Sequence, residues 1–209
     1  MPRFQHVLTT EADIRELVGK PLERSIRKER NSLDEMCRGF MARSPFLLMA
    51  TSGSDGTCDV SPKGDAAGFV KVLDQKRFVI PERNGNNRLD GIRNILGNPQ
   101  IGLIFIIPGC DYTLRINGRA CVTRDPELLA ATASHGVTPR MAIGVETEQA
   151  FFHCVKSFRR AGLWMHAQWP SLDDLPSYAC TVFNQIQPDN ATLEDYERVI
   201  SESNAKLYV

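Results

Sequence analysis

Three short stretches of this chain bring together residue types that hold anions. In "IPERNGNNR" (80–88), Asn86, Asn87 and Arg88 stand directly before "LDGIRNILGNP". There Leu89, Ile92, Ile95 and Leu96 share one helical face, and Gly97-Asn98-Pro99 ends the helix. Asn is a favoured N-cap, but a cation is out of place at a helix start, where the macrodipole already favours negative charge. Backbone N–H groups at such a start, with a guanidinium beside them, form a phosphate site. In "VSPKGD" (60–65), Pro62 cannot complete a ladder, so this strand belongs at an edge or beside a ligand. Lys63 beside Gly64 offers a point charge and a close backbone approach. In "YTLRINGRACV" (112–122), Thr113, Arg115, Asn117 and Arg119 alternate with Leu114, Ile116, Gly118 and Ala120, giving one polar and one apolar face. Two arginines on one strand face need carboxylates, a phosphate or water. Each stretch also has a plain reading: a capped helix with Arg88 in solvent, a surface turn with a solvated Lys63, and a solvent-facing strand.

"FFHCVKSFRRAGLW" (151–164) is a fourth cluster. His153 and Cys154 are adjacent, so on a strand they point to opposite sides and cannot form a dyad. Lys156, Arg159 and Arg160 make a basic group beside Trp164, a solvated face or a cover for an anion. His135 and His166 lack metal-ligand spacing, and no metal is expected. No Gly-x-Ser-x-Gly, Walker loop, Gly-x-Gly-x-x-Gly or His-Glu-x-x-His occurs. Cations and Asn/Ser donors without a nucleophile point to chemistry borrowed from a cofactor. A phosphate-tailed cofactor would account for the cation at the helix start.

The elements that position these residues are legible from patterning. Thr10 is an N-cap with Glu11 and Asp13 in its first turn, and Gly19 and Pro21 close that helix. A longer helix is predicted to about residue 43, with Leu33, Met36, Cys37, Phe40 and Met41 on its packed face. Strands follow at 46–51, 57–63, 68–73, 77–81, 101–107 and 112–122, with a hairpin turn at "GSDG" (53–56). A helix after Pro126 and late strands at 142–146 and 150–158 complete the β-rich part. Six or so strands with tight turns and one intervening helix predict an antiparallel barrel, not a parallel sheet. After about residue 167, Pro170, Pro176 and Pro188 space out short helical pieces such as 192–204. The predicted division is N-terminal helices packed on the barrel (1–43), a barrel (44–165) and a helical extension (166–209).

With 209 residues the chain is long enough for a sizeable core. Basic and acidic residues number 25 each, so bulk charge argues for neither nucleic acid nor a membrane surface. The six cysteines are scattered without Cys-x-x-Cys spacing, as free thiols. The N-terminus lacks an apolar core segment, and no run approaches the roughly 18 residues of a membrane span. The expectation is a cytoplasmic protein.

The run from 44 to 120, with "SPKGD", "GNNRLD", "NILGNP" and "PGCDYTLRINGRA", together with "HCVKSF", resembles the pyridoxamine 5'-phosphate oxidase-like flavin-binding split barrels. The likeness covers roughly residues 10 to 165. It implies a mainly β (α+β) fold, a six-stranded antiparallel split β-barrel with flanking helices. It also implies a homodimer with one FMN in each of two clefts between subunits. By that likeness Lys63 and Arg88 hold the FMN phosphate, helped by Asn87. Ser61, Pro62 and Gly64 run along the ribityl chain or ring edge, and Ile80 and Pro81 lie against the ring. Thr113 makes a polar flavin contact with Arg115 nearby, and Lys156 and Ser157 reach over from the second chain. The true oxidases carry Arg-x-x-Leu-Leu-Lys and Ser-Arg-Lys where this chain has "SPKGD" and "NNRLDGIRN", and their C-terminal Arg-x-His is not evident. Fold and cofactor are implied; pyridoxamine phosphate as substrate is not.

The resulting expectation is an FMN-dependent oxidoreductase acting on a small molecule, with no residue assigned as proton donor. The alternatives are a non-catalytic flavin- or haem-binding protein, with His153 the first axial-ligand suspect, and a deazaflavin-dependent reductase of the same fold.

Overall fold

The structure, a computed structural model, describes residues 4–208. Helix α1 (Glu11–Val18) opens as Thr10 predicts: its hydroxyl accepts from Asp13 N (3.2 Å), and the Asp13 carboxylate accepts from Thr10 N (3.0 Å). The long second helix is not continuous. It is split into α2 (Glu23–Arg27) and α3 (Glu35–Met41). Between them Arg30 bridges to Ala150 and Leu33 N donates to the Gln75 carbonyl, drawing the backbone out of helical pairing. Asp34 then restarts the helix by accepting from Cys37 N (2.8 Å). Leu33, Cys37, Phe40 and Met41 are buried as the face predicts, whereas Met36 is exposed. Of the three helices only α3 buries residues of its own.

Four strands follow: β1 (Phe46–Ser52), β2 (Cys58–Gly64), β3 (Lys71–Val72) and β4 (Arg77–Pro81). The strand predicted over 68–73 shrinks to two residues because Gly68 has φ +79° and Phe69 N closes a turn on the Ala66 carbonyl. Helix α4 (Asp90–Gly97), β5 (Gln100–Ile106) and β6 (Thr113–Thr123) come next, then α5 (Pro126–Ala131) and β7 (Ala142–His153). The two late strands predicted separately are this one strand, and the chain turns helical at α6 (Lys156–Ala161) rather than running extended to 158. Helices α7 (Tyr178–Ile186) and α8 (Leu193–Asn204) pack on each other in the C-terminal extension.

All strands join one antiparallel sheet in the order β2-β1-β5-β6-β7-β4-β3. The count is seven rather than six, and β2 and β3 remain as two separate edges, so the barrel is split and not closed. The sheet nonetheless curls around its apolar face. Phe78 of β4 and Phe105 of β5 meet with ring centroids 6.3 Å apart, although β6 and β7 lie between their strands. Leu47, Met49, Ile80, Leu103, Leu114, Ile116 and Ile143 fill the same interior, and Ile92 and Ile95 of α4 join it. Outside the curl, Leu129 of α5 covers Val79 and Ala142.

The long β6–β7 ladder is what lets the sheet bend. Its register shifts between Asn117 and Gly118, a bulge of the kind that increases local twist. At Gly118 the Glu146 carbonyl approaches so closely that any Cβ would overlap it. Among the described residues no helix is long and apolar enough to cross a membrane. All six cysteines are free. Gly118→Ala is expected to lower unfolding free energy by at least about 2 kcal/mol, through forced separation of β6 from β7. Urea titration followed by circular dichroism measures this, and a change below ~0.5 kcal/mol would refute the close approach.

Candidate functional site

Strand β2 pairs only with β1, so Pro62 sits on an edge as its missing N–H requires. Alternation turns Asp59, Ser61 and Lys63 to the half-buried side and leaves Val60, Pro62 and Gly64 outward. Helix α4 lies over β1 and β2 at this side. Its first turn approaches so closely that a Cβ on Gly91 would stand 2.9 Å from Met49 Cε and 3.8 Å from Ser61 Oγ. Two carboxamides fix the helix there. Asn94 Nδ2 donates to Asp59 Oδ2 (2.8 Å) and Thr51 Oγ1 (3.1 Å), and Asn98 Nδ2 donates to Ser52 Oγ (2.9 Å).

The segment from Glu82 to Leu89 enters α4 by an unusual route. The N-cap is Leu89, in the left-handed region at φ +56°, and no side chain caps the helix. Neither Asn86 nor Asn87 takes that role. Asn86 Oδ1 accepts instead from Arg88 N (3.0 Å), and Asn87 itself has φ +59°. A branched side chain at positive φ is a strained choice, and such strain concentrates at functional sites. The start of α4 therefore presents uncapped N–H groups.

These elements enclose a cleft of about 490 Å³, within the ordinary range for small-molecule sites. Ser61, Pro62 and Lys63 line it from β2, and Asn84 to Leu89 from the loop. Asp90, Gly91 and Ile92 contribute the helix start, and Met49, Arg140 and Met141 the remaining wall. Two motifs far apart in sequence, "SPKGD" and "GNNRLD", are thus brought together. Four cations (Lys63, Arg83, Arg88, Arg140) face two carboxylates (Glu82, Asp90) across it. Lys63 is held by Glu82 at 2.5 Å, with both side chains largely buried. Arg88 is mostly in solvent and bonds Asp90 through Nε at 2.8 Å. Among the described residues Arg140 has no ion pair and is exposed.

Arg83, Glu82 and Arg140 went unmarked in the sequence. Arg83 Nε donates to Asp65 Oδ2 (2.7 Å) and Nη2 to the Thr132 carbonyl (2.8 Å), while its Nη1 is buried with no partner. An orphaned guanidinium N–H beside a cleft with surplus positive charge fits an anionic group, as do the uncapped helix start and Lys63. The charge excess of "ER…R" around the Asn run was the available signal, but nothing in the sequence tells which arginine turns inward.

The other expected site residues stand elsewhere. Ile80 is fully buried in the core and Pro81 is buried against Ala142, so neither lines the cleft in this chain; Gly64 also lies outside it. Thr113 is buried and pairs with His153 across β6 and β7. Arg115 stacks on the Phe151 ring with Cζ 5.1 Å from its centroid, and Lys28 Nζ lies at the same distance. Arg115 Nε also donates to Asn117 Oδ1 (3.3 Å), and Asn117 in turn to Gln149 (3.0 Å), so the polar stripe is largely satisfied on the outer face. Burial, with Arg115 and Lys28 nearby, lowers the His153 pKa and so favours the neutral ring. It offers no axial imidazole to the cleft, which no described histidine lines. Lys156 and Ser157 are exposed at the start of α6.

Asp65 anchors the wall behind Arg83, with only 1% of its side chain exposed. Burial alone would raise its pKa, but the Ala66 N–H, the Tyr208 hydroxyl and Arg83 together hold it below the ordinary 3.8. The folded state thus favours the carboxylate. That stabilisation is present above pH 3.8 and is lost as pH falls through the lower folded value. Asp65→Asn, which leaves Arg83 without its charge partner, is expected to cost about 3 kcal/mol at neutral pH. Its deficit should narrow as both proteins are acidified below pH 3.8, as measured by urea unfolding at several pH values. A deficit independent of pH in that range would contradict the assignment.

No curated protein matches this chain. Among solved structures it is similar to a putative pyridoxamine 5'-phosphate oxidase from Lactobacillus delbrueckii, at 20% identity over 58% of this chain and 95% of that one, with a TM-score of 0.45. It is also similar to HupZ of Group A Streptococcus, at 17% identity over 57% and 92% of the two chains and a TM-score of 0.47. An FMN-binding protein from Syntrophomonas wolfei shows 6% identity over 68% and 96%, with a TM-score of 0.43. The family model described as pyridoxamine 5'-phosphate oxidase matches residues 33–154, a span that holds every described strand and every residue lining the cleft. More than half of the sequence lies in that match, and the chain belongs to the pyridoxamine 5'-phosphate oxidase family.

Proposed function

We propose that the cleft binds FMN by its phosphate and that the protein is an FMN-dependent oxidoreductase acting on a small molecule. The observation that carries this reading is the meeting of an uncapped helix start with four cations in one cleft, of which Lys63, Arg83 and Arg88 are each held by a carboxylate and Arg140 has no ion pair among the described residues. Lys63 supplies charge from β2 and Arg140 from the segment before β7, the exposed Arg88 adds a further cation, and Asn87 adds an amide. Ser61 and the exposed Pro62 edge provide the path along which a ribityl chain would lie. When bound, the flavin supplies hydride or electron transfer at its ring. This chain's part is to bind the phosphate, orient the ring and limit water through Met49, Leu89, Ile92 and Met141. Glu82, which accepts from Lys63, fixes the direction of that side chain.

A homodimer belongs to the same proposal. Helices α1 and α2 bury nothing within their own chain, and Ile14, Leu17, Val18, Leu22 and Ile26 are all exposed there. Such a concentration of apolar side chains suits a second copy. Arg115, Lys156 and Ser157 lie outside the cleft of their own chain and serve the flavin of the second copy, whereas Thr113 is buried within its own chain.

Arg140→Ala is the cleanest test, because no described ion pair is broken by it. FMN affinity, read from flavin fluorescence quenching, should fall about tenfold or more, as for a lost charge-assisted hydrogen bond. Riboflavin, which lacks the phosphate, should bind the variant and the parent alike. Equal FMN affinity in both proteins would remove the phosphate assignment. In sedimentation, the protein should run at twice the mass of one chain, and Leu17→Asp should shift it towards the monomer; an unchanged dimer would exclude α1 from the contact.

A further inference from the structure

After α8 the chain returns to the back of the cleft loop. Tyr208 donates its hydroxyl to Asp65 Oδ1 (2.8 Å), and its ring stacks on His135 with centroids 4.4 Å apart. The same carboxylate accepts from Ala66 N (2.7 Å), Ser134 Oγ (3.2 Å) and Arg83 Nε (2.7 Å). Arg83 therefore has two neighbours: on one side the cleft, which it lines with Lys63 and Arg140, and on the other the docked tail. Glu82, Arg83, Asn84 and Arg140 also line a second cavity of about 220 Å³ that Leu207 and Tyr208 close. The wall between cleft and tail is thus one short stretch of backbone with its side chains.

Little else ties the extension down. Helix α7 buries Ala179 alone and α8 buries no residue. Segments with so few buried contacts open at low free energy, so single polar contacts weigh heavily in their docking.

We infer that the C-terminal segment is a latch on the cleft, in which Tyr208, docked on the Asp65–Arg83 pair, holds residues 82–88 in their binding arrangement. It rests on the cleft being a ligand site, and it makes Tyr208 a positioning residue acting through Arg83. Ligand binding and tail docking then favour one another by the same factor, because coupling between two sites is reciprocal.

The test is Tyr208→Phe in the full chain, which removes the hydroxyl and keeps the ring. Amide hydrogen exchange of the ligand-free protein should quicken about fivefold both in α8 and in residues 82–88. FMN affinity should fall by a similar factor, and saturating FMN should slow α8 exchange in the parent but not in the variant. Faster exchange confined to the tail, or no change in either segment, overturns the latch. If the parent protein binds no FMN, the flavin reading falls, and exchange of the ligand-free proteins alone upholds or overturns the latch.

Discussion

The cleft exists because α4 can lie almost on the surface of β1 and β2. Gly91 removes the one Cβ that would strike Met49, and Asn94 and Asn98 bond side chains of the two strands beneath. Those carboxamides bridge Thr51, Asp59 and Ser52, so the helix is fixed in both translation and rotation. With the helix so placed, its amino end opens over Ser61 and Lys63, and the entering loop must turn sharply to reach it. The left-handed residues Asn87 and Leu89 are the backbone's answer to that demand. A side chain at position 91 would have to displace the Met49 methyl that now lies against the helix.

Electrostatics at the cleft is organised by pairing rather than by accumulation. Lys63 and Arg83 are each held by a carboxylate and are well shielded from solvent, which fixes their direction at the expense of their reach. Arg88 and Arg140 are exposed and adaptable. Such a division suits an anion that enters from solvent: the exposed arginines would meet it first, and the shielded ones would define where it comes to rest. Net neutrality of the whole chain conceals this, because the excess is confined to one cleft.

Much of the strand pattern was legible in the sequence. The alternation of Leu114, Ile116, Gly118 and Ala120 with Arg115, Asn117 and Arg119 separates buried from half-buried or exposed positions along β6 as the spacing predicts, whereas Thr113, on the polar side of the pattern, is buried. Helix α1 begins where its Thr10 cap stands. What failed depended on distant partners. The Arg30–Ala150 bridge that interrupts the predicted long helix spans most of the chain, and no local propensity registers it. The same applies to the site. Ser61, Lys63, Asn87 and Arg88 could be marked because each motif is local, whereas Arg83 and Arg140 acquire meaning only when β4, β7 and the loop converge. Ile80 lies fully in the core, which the apolar run "RFVIP" does not reveal because residues on both faces of β4 are buried.

The split in the barrel has a consequence for how copies of this chain can meet. Strand β2 is an open edge, the kind of surface on which extended chains add to one another without limit. Pro62 at its centre withholds a donor from any incoming strand, and the same residue borders the cleft. One proline therefore keeps the cleft's border from growing into a continued sheet. The edge that borders the cleft is thereby a poor template for a further strand.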